Sequence, residues 1–198
     1  MKIMGQRLAL RDWIEEDLSA YEKWLQPENL WHEYDGPYYS KPTPKDIEEI
    51  INRLRDQISK GDFPDPRRNL VIADLDTDRL IGRVSRYWQS QETLWLCVGI
   101  SIYDPGDWNR GFGFEALGLW CDHLFAQPME LHRLDLRTWS GNVGMIRLAE
   151  KLGFQLEARF RDARIVDGEY YDGLGFGILR PEWEAQYPDG FSAFLQRR

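Results

Sequence analysis

The chain has 198 residues, of which 42% are hydrophobic, 14% aromatic and 29% charged, enough for one domain, or two small ones, with a sizeable core. Twenty-five basic residues against 33 acidic ones leave a formal charge of −8, which disfavours nucleic acid and anionic membrane surfaces as partners and leans mildly toward cationic ones. The longest apolar run, residues 94–103, falls short of the ~18 residues that span a bilayer; the first residues lack the apolar centre of an export signal; and two cysteines, Cys97 and Cys121, make neither a disulfide framework nor a metal pair, so a cytoplasmic setting is expected.

Residues 7–10 suit a short opening strand. Ile14, Leu18, Tyr21 and Leu25 then recur at helical spacing and predict a helix that Pro27 stops. Residues 28–42 are irregular and aromatic, with Trp31, His32, Tyr34, Tyr38 and Tyr39 around Glu33 and Asp35. Thr43-Pro44-Lys45-Asp46 is a helix start with a Thr cap, Pro in the first turn and an acid three residues after the cap; the helix runs to Gly61. Three strands follow, at 70–73, 80–88 and 93–103, joined by short polar turns as in an antiparallel meander. Residues 111–126 read as a helix, 133–138 as a strand, and 142–152 as a helix ended by Gly153. Residues 154–166, the turn Asp167-Gly168 and residues 170–179 read as a closing hairpin, and Pro181 begins a polar tail. The order predicts an α/β (α+β) sandwich with a mixed sheet.

The segment between the third meander strand and its helix, Asp104-Pro105-Gly106-Asp107-Trp108-Asn109-Arg110-Gly111-Phe112-Gly113-Phe114-Glu115-Ala116, carries the chemistry. Glycines let the backbone turn tightly, and the first turn of a helix offers unpaired N–H groups and a partial positive charge. Together they make a pyrophosphate cradle, to which Arg110 adds a cation. A turn that needs glycine for geometry alone fits the two glycines equally well. Gly111-x-Gly113-x-x-Ala116, with Asp135 about 20 residues on, also fits a dinucleotide fingerprint. Against it, Asp135 lies inside a strand alternation, the preceding strands look antiparallel, and the chain left after it is too short for a doubly wound sheet.

Three motifs in order resemble the GNAT superfamily of N-acetyltransferases. Trp108-Asn109-Arg110-Gly111-Phe112-Gly113 occupies the acyl-CoA motif Gln/Arg-x-x-Gly-x-Gly/Ala, with Trp108 in place of Gln or Arg. A strand (Leu134-Asp135-Leu136-Arg137-Thr138), Asn142 and Ala149-Glu150-Lys151-Leu152-Gly153-Phe154 match the second signature. The hairpin Val166-Asp167-Gly168-Glu169-Tyr170-Tyr171-Asp172, closing in Leu179-Arg180-Pro181-Glu182-Trp183, matches the third. With the opening Arg7-Leu8-Ala9-Leu10-Arg11, this ending resembles the branch of ribosomal-protein alanine (RimJ/RimL type) and spermidine acetyltransferases. The resemblance is dense over 80–183 and loose before that.

The resemblance implies a mostly antiparallel twisted sheet flanked by helices and splayed between its central strands. Acetyl-CoA enters the gap as acetyl donor. Its pantetheine arm pairs with the strand edge at Ile102 and Tyr103, its pyrophosphate sits on the amides from Asn109 through Arg110, Gly111, Phe112 and Gly113 to Phe114, and Asn142 touches it from across the gap. Asn142 is equally well read as a helix cap. The reaction is attack of an uncharged amine on the thioester, assisted by a carboxylate base and a backbone N–H near Ile102. Many relatives carry Tyr at the position of Ala149, Ser at Met145 and Glu at Cys97, so the usual acid is missing and Cys97 is either a nucleophile or core. Asp35, Glu33 and Asp172 are the base candidates, each also readable as a surface acid. Trp31, Glu33 and Tyr38 are acceptor-site candidates, the aromatic pair also readable as packing. His123 and His132 show no ligand spacing, so no metal is expected.

The expectation is a single domain over 1–198, with acceptor-side helices and loop in 1–68, a donor-binding core in 69–183 and a tail in 184–198. Its function is acetyl transfer to a primary amine: a polyamine, an aminoglycoside-like molecule or a protein N-terminus. The alternatives are a non-catalytic acyl-CoA-binding module and the dinucleotide oxidoreductase. Related enzymes are often dimers; the sequence leaves oligomeric state open.

Overall fold

The structure, a computed structural model, describes residues 1–197. In chain order they form β1 (Lys2–Met4), β2 (Leu8–Arg11), α1 (Glu15–Trp24), α2 (Pro44–Lys60), β3 (Asn69–Asp74), β4 (Leu80–Ser90), β5 (Trp95–Ile102), α3 (Phe112–Phe125), β6 (Arg133–Trp139), α4 (Val143–Lys151), β7 (Gln155–Val166), β8 (Glu169–Leu179), α5 (Arg180–Gln186) and α6 (Phe191–Gln196). The predicted caps are in place. Thr43 Oγ1 accepts the Asp46 amide while Asp46 receives the Thr43 amide. Gly61 and Gly153 end their helices at φ +61° and +92°, a conformation that costs a side-chain-bearing residue ~1–2 kcal/mol. Asp167 and Gly168 turn the hairpin with φ of 51° and 84°, as a tight primed turn requires.

One sheet holds all eight strands in the order β1-β2-β3-β4-β5-β6-β8-β7. Every neighbouring pair is antiparallel except β5 and β6, which run parallel. A doubly wound parallel sheet is therefore excluded, and with it the dinucleotide reading. The parallel ladder is short: only Leu96 with Leu134 and Cys97 with Asp135. Beyond them β5 continues to Ile102 along β4, and β6 continues to Trp139 along β8. The two central strands thus part company toward their C-terminal ends, as the predicted splay requires.

Each face of the sheet has its own core. Leu8, Leu10, Leu70, Ile72, Val84 and Leu134 pack under α3 and α4 on one face. On the other, Val71, Ala73 and Leu80 meet Leu18 and Tyr21 of α1 and Ile47 and Ile51 of α2. The strand members of this second core come from β3, β4 and Tyr103, so α1 and α2 cover one half of the sheet. Two features depart from the sequence reading. β1 is an additional edge strand. The segment after Pro181, read as a polar tail, folds as α5 and α6, and its Trp183, Tyr187, Phe191 and Leu195 are buried in the first core.

Candidate active site

The glycine-bearing loop lies where β5 ends and α3 begins, beside the parted strands. Gly111 caps α3 at φ +86°, and Asn109 also has positive φ, 57°. The first amide bond of the helix runs from Glu115 N to Gly111 O, 3.1 Å. Among the described residues, no protein acceptor takes the amides of Asn109, Arg110, Gly111, Phe112 or Gly113. They form the unpaired, electropositive start of a 14-residue helix, an anion cradle by construction. A Cβ at Gly113 would meet nothing closer than Leu148, 3.4 Å away, whereas one at Gly111 would lie 2.9 Å from Arg7 Nη2.

Side chains remote in sequence brace this loop. Buried Asp107 accepts two bonds from Arg79, 2.9 and 3.1 Å, and one from Arg110, 3.2 Å. Arg7 Nη1 donates to Arg110 O at 2.8 Å. The guanidiniums of Arg7 and Arg110 lie 5.0 and 5.3 Å from the centre of the Phe112 ring. Buried Glu115 Oε1 accepts the amides of Gln6 and Arg7, tying the β1–β2 turn to α3. Neither Arg7 nor Arg79 was legible as a site residue, because each acts through a contact made by the fold.

The strand edge differs in detail from the expectation. The Tyr103 amide is taken by Ile81 O at 3.0 Å, and its ring is fully buried against Tyr21, Trp24 and Trp31. Antiparallel alternation then turns the backbone groups of Ile102 and Ile100 away from β4, toward the gap. Trp108, at the departing position of the motif, donates its indole N–H to Ile102 O at 2.9 Å. The edge open to an extended ligand therefore starts at the Ile102 N–H and runs back through Ile100, and does not include Tyr103.

Across the gap, the aromatic loop closes over both strands. Tyr34 O accepts from Trp139 Nε1 of β6 at 3.1 Å and from Asn142 Nδ2 at 3.0 Å. The Tyr34 ring meets Trp108 edge-on at 5.2 Å. Asp35 Oδ2 accepts from Ser101 Oγ of β5 at 3.1 Å. Asn142 also caps α4 through Met145 N, 2.9 Å, so its cap role is realised. Tyr38 packs edge-on to Trp139. Of the other acceptor-side candidates, Trp31 is buried, bonds Trp24 O and lines the same cavity as Asp35, and Glu33 pairs with Lys41 at 2.6 Å. A cavity of about 170 Å³ beneath the loop is lined by His32, Asp35, Tyr39 and Lys41 among others. His32 is buried, which holds its imidazole below the usual pKa, and its Nε2 has no partner among the described residues.

Cys97 is fully buried where β5 and β6 still pair, and burial raises its thiol pKa. Asp172 is fixed on the hairpin by the Asp162 amide, 3.0 Å, and by Arg159, which together hold its carboxyl below the usual range. Ala149 is buried and Met145 half-buried on α4.

The comparisons agree with this architecture. The family model for an acetyltransferase (GNAT) domain matches residues 7–155. A prophage-derived uncharacterized N-acetyltransferase, YokL of Bacillus subtilis, is 25% identical over 184 residues, 92% of this chain and 96% of that protein. Spermidine N-acetyltransferase from Vibrio cholerae, solved in complex with CoA and spermine, superposes with a TM-score of 0.70 at 20% identity, covering 89% of this chain and 98% of that one. RimL, a ribosomal alpha-N-protein acetyltransferase solved in complex with coenzyme A, gives 0.68 at 15% identity, covering 90% and 98%. With its family match over most of its length and its sheet parting at the expected strands, the chain belongs to the GNAT acetyltransferase family and is an N-acetyltransferase.

Proposed function

We propose that the chain transfers the acetyl group of acetyl-CoA to a primary amine by direct attack on the thioester. The observation that carries this reading is the coincidence of two features at one end of the sheet. The unpaired amides from Asn109 to Gly113 stand beside the only parallel strand pair among the described residues, which opens after two residue pairs. The pyrophosphate sits on those amides, and the pantetheine arm extends along Ile102 and Ile100 toward the apex of the gap.

The amine arrives from the face that carries α1, α2 and the aromatic loop. Its nitrogen attacks the thioester carbonyl, the C–S bond breaks, the coenzyme thiolate leaves and the amine proton passes to a base. Asp35 is the base this arrangement favours, because it is exposed, borders the gap and is oriented by Ser101. Asp172 is committed to Arg159 and Asp162, and a carboxyl held low is a weak base. Cys97, buried with a raised pKa, acts as core. Ala149 and Met145 offer no proton, so the thiolate departs without a protein acid.

Calorimetric titration with acetyl-CoA, followed by thiol release over an amine panel, tests the reading. Saturable binding with turnover is expected. Saturable binding with no turnover on any amine would contradict it and support a non-catalytic acyl-CoA-binding module.

A further inference from the structure

The face that carries Asp35 continues across β6 and β8, and there the sheet has an unusual floor. β8 reads Tyr171-Asp172-Gly173-Leu174-Gly175-Phe176-Gly177, and the period of a strand puts its three glycines on one face. A guanidinium fills the space a side chain at Gly175 would take, and a second lies in ordinary contact distance of Gly173, beside Ala163 and Phe160. A Cβ on Gly175 would lie 2.5 Å from Arg137 Nη1, and one on Gly173 would lie 3.7 Å from Arg164 Cζ. Gly173 and Gly175 are two residues apart on the strand, so the two cations lie along one trough, with supporting backbone positions roughly 7 Å apart.

These cations are incompletely matched. Asp135 lies 2.6 Å from Arg133 but 3.6 Å from Arg137, and Arg133 also takes Glu157. Arg164 stacks over the Tyr38 ring at 4.7 Å and donates to Ala163 O, and among the described residues no carboxylate lies within ion-pair distance of it. The Nε atoms of Arg137 and Arg164 are both buried without a hydrogen-bond partner. Arg137 also lies over the Trp95 ring at 5.6 Å, but neither guanidinium has a carboxylate within hydrogen-bond distance, and both lie in a trough with Trp139 and Tyr38 as its near wall. The trough begins at the foot of the loop that closes the gap, since Trp139 bonds Tyr34 O.

From this geometry we infer that the acceptor is an amine that also bears an oxyanion, with the oxyanion held by Arg137 and Arg164. The amine lies on the β5 side by Asp35 and Ser101, and the carboxylate or phosphate lies on the β6–β8 side, where guanidiniums bind such groups with directed N–H donors. A polyamine placed in the same way would set a second ammonium against two under-compensated cations. This departs from the lean toward cationic acceptors that net charge alone suggests. The inference rests on the transfer reaction proposed above.

The test compares acceptors matched in size: free amino acids against their carboxamides, O-phosphoserine amide against serine amide, and spermidine. The phospho pair separates phosphate from carboxylate as the bound group. The wild-type protein is expected to favour the oxyanion-bearing member of at least one pair by ~10-fold or more in kcat/KM, the worth of one charge-assisted hydrogen bond. Because a carboxamide's amine is the less basic of the pair and deprotonates more readily, reactivity alone would favour the opposite order. In Arg137→Gln and Arg164→Gln the preference should collapse toward 1 with acetyl-CoA affinity unchanged by calorimetry. Should those variants fail to fold, thermal shift on the wild type serves: the N-acetyl amino acid should stabilise it and the N-acetyl carboxamide should not. Neutral amines or spermidine reacting as well as the anionic members, or a preference that survives both substitutions, would overturn the inference while leaving the transfer reaction standing. Failure to bind acetyl-CoA at all would remove both.

Discussion

The two sides of the gap are built by different means. On the proposed reading the donor side is one contiguous stretch, residues 104–116, whose unpaired groups are backbone amides at a helix start. The proposed acceptor side is assembled from the 30–40 loop, β5, β6 and the β7–β8 hairpin, and most of its groups are side chains that meet only after folding. Backbone amides impose one geometry on any sequence that can make the turn. Side chains drawn from four elements can be exchanged one at a time without disturbing that turn.

The comparison can be broken or sharpened by substitution. The largest effect is expected from Phe191→Ala on α6. Phe191 is fully buried against Phe114 of α3, Trp183 and Tyr187, and truncating it should cost ~3–5 kcal/mol in urea unfolding. A loss below 1 kcal/mol would show that the C-terminal helices do not prop the donor side. Next is Gly113→Val. The position has room and an ordinary backbone conformation, so the melting temperature should hold while acetyl-CoA affinity falls ~10- to 100-fold as one or two charge-assisted bonds are lost. An unchanged affinity would make the glycine merely structural.

Ser101→Ala acts on the other side. It frees Asp35 from its 3.1 Å bond and should lower kcat/KM for the amine by ~3- to 10-fold, one hydrogen bond's worth, with the acetyl-CoA KM unchanged. A shift in the donor KM of similar size would erase the division between the two sides. The smallest effect lies away from both. Burial alone would raise the Asp12 carboxyl, but Arg67 at 2.7 Å and the N-terminal ammonium outweigh it and hold the pKa below its ordinary value. Its stabilisation is therefore present above the unfolded carboxyl's pKa, near ~3.9, and is lost as pH falls through the lower folded value. Asp12→Asn should flatten the acid limb of stability measured between pH 5 and 2 without altering acetyl-CoA affinity at neutral pH.

The donor side was legible because everything it needs is local. Gly111 and Gly113, the strand before them and the helix after them sit within a few turns of chain. Asn142 and Gly153 were legible for the same reason, as helix punctuation. The acceptor side was not. Tyr34 contributes a carbonyl, which no side chain announces, and the pairing of Asp35 with Ser101 joins residues 66 apart. Of the acceptor candidates, Asp35 and Tyr38 reach the gap, whereas Trp31 packs and Glu33 turns to Lys41. The C-terminal helices left a signal that could have been used: Trp183, Tyr187, Phe191 and Leu195 recur every four residues, one helical face, although Pro188 and Gly190 interrupt it. The alternate glycines of β8 were equally visible, but only the strand register shows that arginines from β6 and β7 lie over them.

The central claim, that backbone amides at the start of α3 bind the coenzyme's diphosphate, is tested most directly by following amide nitrogen and proton resonances during titration with coenzyme A. The account predicts that Arg110, Gly111, Phe112 and Gly113 show the largest shifts and slowed hydrogen exchange at saturation. Saturable binding that leaves those four resonances unmoved would contradict it.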